Sequence, residues 1–133
     1  MLFSYTLVPG PLGQVGMPLL PIRLENGTFH VDEIGLIDSG STVNVLPYDL
    51  GLQLGLDWDS ISLSIPVGGN LASQPAKAIS LLARVGSYPP VRLGFAWIRS
   101  NSSRLLLGQV NFFSEFDVSF FGSRNRFEVA PKP

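Results

Sequence analysis

Asp38-Ser39-Gly40-Ser41 sets one carboxylate beside two hydroxyls and a glycine, residue types suited to moving a proton at a bound substrate. The flanks 34–37 and 43–46 are mostly apolar or β-branched and read as two buried strands joined by a tight loop. A carboxylate at the end of a buried strand is costly unless it is hydrogen-bonded or shares a proton. Ser39 offers a donor and an acceptor beside it, and Gly40 lets backbone or ligand come close. The plain structural alternative is an Asx-turn, with Asp38 merely capping a hairpin loop. Asp49, Asp57, Asp59 and Asp117 lack this setting and read as surface or cap residues. The single histidine, His30, is a conceivable base for Ser39 or Ser41. It sits in an expected hairpin strand beside Asp32-Glu33, where a surface or core role is the simpler reading.

Composition narrows the classes. The chain has 133 residues and reads as one domain, 1–133, long enough to bury a core. Charged residues are only 14% of the chain, against roughly 25% in an average domain. With nine Phe, that balance implies apolar surface covered by a partner. Eleven Pro, 14 Gly and many short apolar runs indicate an all-β chain rich in turns. Net charge is −1 and the arginines are scattered, which argues against nucleic-acid binding. The chain has no cysteine, so disulfides and thiolate chemistry are excluded, and a single histidine excludes a multi-histidine metal site. Neither metal nor cofactor is expected. No stretch reaches transmembrane-helix length, and residues 1–10 lack a basic n-region and are broken by Pro9-Gly10, so a cytoplasmic location is the expectation.

The elements that must hold the loop follow from period and punctuation. Leu2 to Val8 reads as a strand, 9–18 as an irregular connection, and Leu19 to Leu24 as a second strand. Asn26-Gly27 reads as a two-residue turn into the strand that delivers Asp38. Pro47 opens a short helix through Leu54, stopped by Gly55. Ile61 to Ile65, a glycine tip at 66–70, and a return from Leu71 to Val85 suggest a long hairpin. Val91 to Ile98 alternates as a half-buried strand. Leu105-Leu106-Leu107-Gly108 is an apolar strand ending in glycine, with a short helix expected over Asn111 to Phe116. Residues 116–121 and 126–129 form a closing hairpin around Gly122 to Asn125.

The run apolar–apolar–Asp38-Ser39-Gly40-Ser41, followed by an apolar segment ending Asn44-Val45-Leu46-Pro47, resembles the active-site loop of aspartic proteases. It is most similar to the single-domain retropepsin-like family, in a bacterial-type member. Leu106-Leu107-Gly108 resembles that family's second signature, and the two motifs stand in the family's order over roughly residues 19–130. The resemblance implies a closed β-barrel of the acid-protease type with one or two short helices. It implies a flap at Val67, Gly68 and Gly69 closing over the substrate, and an apolar strand, 106–108, beneath the loop. Catalysis in the family needs two aspartates, and this chain has one Asp-Ser-Gly motif, so a two-fold homodimer with Asp38 from each subunit is implied. Ser39 would brace the two loops across the two-fold, and Gly40 and Ser41 would line a cleft for an extended peptide or protein substrate.

Two positions depart from the family pattern. Gln109 follows the glycine where Arg is usual, and Thr42 stands where many viral enzymes have Asp, so an uncharged contact is expected in place of an ion pair near the dimer interface. The competing functional reading is a catalytically silent dimeric peptide-binding or scaffold domain on the same fold.

Overall fold

The computed structural model describes residues 1–65 and 75–133, so the expected flap residues Val67, Gly68 and Gly69 lie outside the described residues. In chain order its strands are β1 (Leu2–Ser4), β2 (Thr6–Gly10), β3 (Gly13–Met17), β4 (Leu19–Asn26), β5 (Phe29–Ile37), β6 (Val45–Leu46), β7 (Ser64–Ile65), β8 (Ala76–Arg84), β9 (Val91–Ile98), β10 (Leu106–Leu107), β11 (Phe116–Phe121) and β12 (Arg126–Pro131). Two short helices, α1 (Tyr48–Gln53) and α2 (Phe112–Glu115), interrupt them. The chain is therefore all-β with two short helices.

Alternation decides which side chains meet. Along β4, Leu20, Ile22 and Leu24 are buried while Pro21 faces out, the period of two that a half-buried strand imposes. Strands β4, β5, β10, β6, β9 and β8 are hydrogen-bonded in that order, and β8 pairs back onto β4, which closes a six-stranded barrel. Closure removes the free edges that an open sheet of this size would present. Trp97, Phe112, Phe116, Phe127 and the leucines at 20, 24, 46, 81, 93 and 107 fill the core. Trp97 donates its indole N–H to the Tyr48 carbonyl (3.1 Å) and stacks on the Tyr48 ring, tying α1 to the barrel. Gly51 of α1 sits against that indole, where no larger residue fits.

The expected α1 forms, with Pro47 at its N-cap and Gly55 (φ +74°) in the left-handed conformation just past its end. Strand β9 and the β11–β12 hairpin also form where expected, and β1 adds to β12 to make a three-stranded sheet. Several expectations need correction. The turn after β4 is centred on Gly27-Thr28, because Asn26 pairs directly with Phe29 and Gly27 (φ +59°) supplies the mirror-image turn. Of the expected 61–65 strand only Ser64–Ile65 is strand, paired with β8, with the Leu63 carbonyl accepting the Ala78 N–H (2.9 Å) just before it; a 3-10 turn at Trp58–Ser60 precedes this stretch. Residues 9–18 are not irregular: β2 and β3 form a separate two-stranded hairpin turning at Pro11-Leu12. Pro9 is tolerated there because both strands of a lone hairpin are edges, so a missing N–H can face outward. Among the described residues, no helix is long and apolar enough to cross a membrane.

Candidate functional site

Strand β10 lies between β5 and β6, parallel to β5 (Leu106 opposite Leu36, Leu107 opposite Ile37) and antiparallel to β6 (Leu106 opposite Val45). The chain leaves β5 at Ile37 and returns as β6 at Val45, so residues 38–44 arch over the end of β10. Leu107 is fully buried beneath the arch. Backbone hydrogen bonds stitch the arch to the segment below along its whole length. The Asp38 N–H donates to the Leu107 carbonyl (2.9 Å), Gln109 N–H to Ser41 (2.9 Å), Val110 N–H to Thr42 (2.9 Å), and Asn44 N–H to Val110 (3.0 Å).

Such close stacking of two backbones dictates Gly108. A Cβ there would strike the Val43 carbonyl oxygen and lie 2.7 Å from the Ser41 carbonyl oxygen, distances that only glycine avoids.

Within the arch, the Asp38 carboxylate accepts the Gly40 N–H (2.9 Å), and the Ser41 N–H donates to the Asp38 carbonyl (3.1 Å). The side chain is half-buried, whereas Ser39 and Gly40 are exposed. No arginine, lysine or histidine among the described residues forms an ion pair with Asp38. Within the chain, the loop's own backbone is what holds the carboxylate in place. The Ser41 hydroxyl donates to the Val43 carbonyl (2.7 Å), so it braces the turn from inside.

The sequence-predicted residues Asp38, Ser39, Gly40, Ser41, Leu106, Leu107 and Gly108 therefore converge on one end of the barrel. Gln109 makes an uncharged contact, but to the Ser39 carbonyl (Nε2 donating, 2.8 Å) rather than to the Thr42 side chain. His30 pairs with Glu25 at the opposite end of β5. Eight residues of strand separate it from Asp38, about 26 Å at ~3.3 Å per residue, so it is not a base for Ser39 or Ser41.

Two asparagines essential to the geometry carried no sequence-level assignment. Asn44 is the one fully buried polar side chain among the described residues. Its Oδ1 accepts the Gly108 N–H (2.7 Å), and its Nδ2 donates to the Gly94 carbonyl (2.9 Å) and to Asn111 Oδ1 (3.3 Å). Asn111 Oδ1 in turn accepts the Gly94 N–H (2.9 Å), and its Nδ2 donates to the Arg92 carbonyl (3.1 Å). The pair locks β9, the arch and the segment after β10 into one unit. The signal that could have found Asn44 is a polar residue inside the otherwise apolar run 43–46.

Beside the arch, Val43, Val110, Ile65, Ala78, Ile79 and Phe95 border a shallow apolar cleft of about 350 Å³. A larger cleft, about 490 Å³, lies on the outer face of β4 and β5 among Arg23, Asp32, Glu33 and Arg84. It contains no residue of the arch, and Glu25 already engages both of its arginines.

Comparison with protein-family models, with curated proteins and with solved structures finds no match to this chain.

Proposed function

We propose that the chain is an aspartic endopeptidase of the retropepsin-like type, active as a homodimer in which each subunit contributes Asp38. The observation that carries this reading is the arch itself. A half-buried aspartate follows a barrel strand, its carboxylate is fixed by the Gly40 N–H, and its loop is supported from beneath by a strand lying between the loop's two legs. A hairpin cap would not call for that support.

In the proposed dimer the two arches meet at a two-fold axis and bring the carboxylates together. Like charges that close cannot both ionise, so the pair holds one shared proton and titrates as a unit. The ionised partner takes a proton from water as the oxygen attacks the scissile carbonyl, and the protonated partner donates to the carbonyl oxygen. The tetrahedral intermediate collapses when its C–N bond breaks and the amine leaves with a proton, giving a carboxylic acid and an amine. The apolar cleft beside the arch supplies a site for a hydrophobic side chain of the substrate.

The test is cleavage of a diverse peptide mixture by wild type and by Asp38→Asn from acid to neutral pH, with each sample sized in solution. Wild-type cleavage reduced by about 10³-fold or more in a dimeric, folded variant is the expected result. Cleavage that survives the substitution would refute the assignment. A folded dimer that binds peptides yet yields no product at any pH would instead be a binding domain built on the same barrel.

A further inference from the structure

The β2–β3 hairpin takes no part in the barrel. It forms a sheet of its own, and its strands register only with each other. Leu12 at its tip is fully exposed, and Leu7 and Val15 are each about half exposed (54% and 48%). Residues 1–22 contain no Asp, Glu, Lys, Arg or His, and the first charged side chain is Arg23. A surface hairpin normally carries charge on its free edges, which keeps other chains from adding to them. Here that safeguard is missing on an element only twelve residues long: Val15 shares one face with Val8 opposite it, Leu12 caps the tip, and Leu7 lies on the other face with Gly16. This is the composition of an interface core, where charge is depleted.

Its attachment points to the partner. The hairpin joins the barrel at Pro18, whose carbonyl accepts the N–H of Ile37, the residue immediately before Asp38 (3.1 Å). The base of the hairpin therefore stands beside the arch. At its other foot, Tyr5 anchors it: the Tyr5 N–H donates to the Asn125 carbonyl (2.8 Å), and the Tyr5 ring stacks on Phe127 while covering Gly16. An anchored base with an uncovered tip is an arm rather than a frayed end.

The arch alone is too small for a stable two-fold contact. Its accessible strip, residues 38–43 with Gln109 and Val110, is only eight positions, of which Asp38, Ser41 and Val43 are half-buried, whereas a standard interface takes roughly 20–30 residues a side. The hairpin adds up to twelve residues on an element whose base, at Pro18, lies next to Ile37.

We infer that the β2–β3 hairpin is a dimerisation arm whose tip, Leu12, and Val8–Val15 face are covered by a second copy of this chain across the axis that pairs the two arches. The inference rests on the proposed dimeric peptidase for the position of that axis. Exchange of two identical arms suits a two-fold contact, in which one patch serves both subunits.

The experiment is sedimentation equilibrium of wild type and the double variant Leu12→Asp/Val15→Asp, with peptide cleavage measured on the same samples. Both side chains are exposed in the subunit, so the barrel keeps its core, and circular dichroism checks that it does. A dimer dissociation constant raised by about 100-fold or more, with cleavage recovering as protein concentration is increased, is the expected result. A double variant that dimerises as tightly as wild type would overturn the arm while leaving the peptidase reading intact. Wild type that dimerises through the arm but cleaves nothing would sustain the arm and sink the peptidase. Wild type that stays monomeric at millimolar concentration would overturn the arm, whatever else the tip binds, a vesicle of neutral lipid included.

Discussion

Replacing Asn44 by leucine tests the claim that one buried amide holds the arch to the barrel. Leucine is close in size, so the loss is chiefly polar. The Gly108 N–H, now 2.7 Å from Asn44 Oδ1, would be left without its acceptor, and the Gly94 carbonyl would lose its donor. The orphaned Gly108 N–H is buried and costs about 1–3 kcal/mol, while Gly94 is exposed, so water can replace its lost donor and its carbonyl adds at most about 1 kcal/mol. The variant should lose about 1–4 kcal/mol of a total near 5–15 kcal/mol. Trp58 and Trp97 are both buried and report unfolding by fluorescence. With a urea slope of about 2 kcal/mol per molar, the midpoint should fall by about 0.5–2 M. Asn44→Asp is the companion. It keeps an acceptor for Gly108 but turns a carboxylate toward Asn111 Oδ1 and the Gly94 carbonyl, and should be no milder. A midpoint drop under about 0.5 M for the leucine variant, at unchanged slope, would refute the reasoning.

Other outcomes follow from the same geometry. Gly108→Ala forces a methyl against the Val43 and Ser41 carbonyls; overpacking of this kind costs about 1–3 kcal/mol, and because backbone cannot step aside the loss should sit at the upper end in thermal unfolding. Gln109→Ala removes the exposed hydrogen bond to the Ser39 carbonyl, so stability should fall by less than about 1 kcal/mol while the cleavage rate drops several-fold with little change in KM. Asp38→Asn retains an oxygen that can accept the Gly40 N–H, and its urea midpoint should stay within about 0.5 M of wild type; a larger drop would mean that Asp38 serves the fold rather than the reaction.

The local elements were readable in the sequence because local chemistry decides them. Apolar runs on either side of the Asn26-Gly27 turn signal located β4 and β5, period-two alternation located β9, proline and glycine bounded α1, and the apolar run 105–107 ending in Gly108 located β10. Asp38 could be singled out because a carboxylate at the end of an apolar strand is unusual on physical grounds alone. The 9–18 segment misled, since Pro9-Gly10-Pro11 reads the same whether it ends a strand or turns a hairpin. Only the tertiary structure decided the rest. That β10 lies between β5 and β6, some seventy residues away in sequence, depends on a pairing no local pattern encodes. The placement explains why Gly108 must be glycine, why Asn44 is buried in an apolar run, and why His30 stands a strand's length from the loop. Side-chain type and spacing determine which groups can react or pair; the closing of the barrel determines which of them meet.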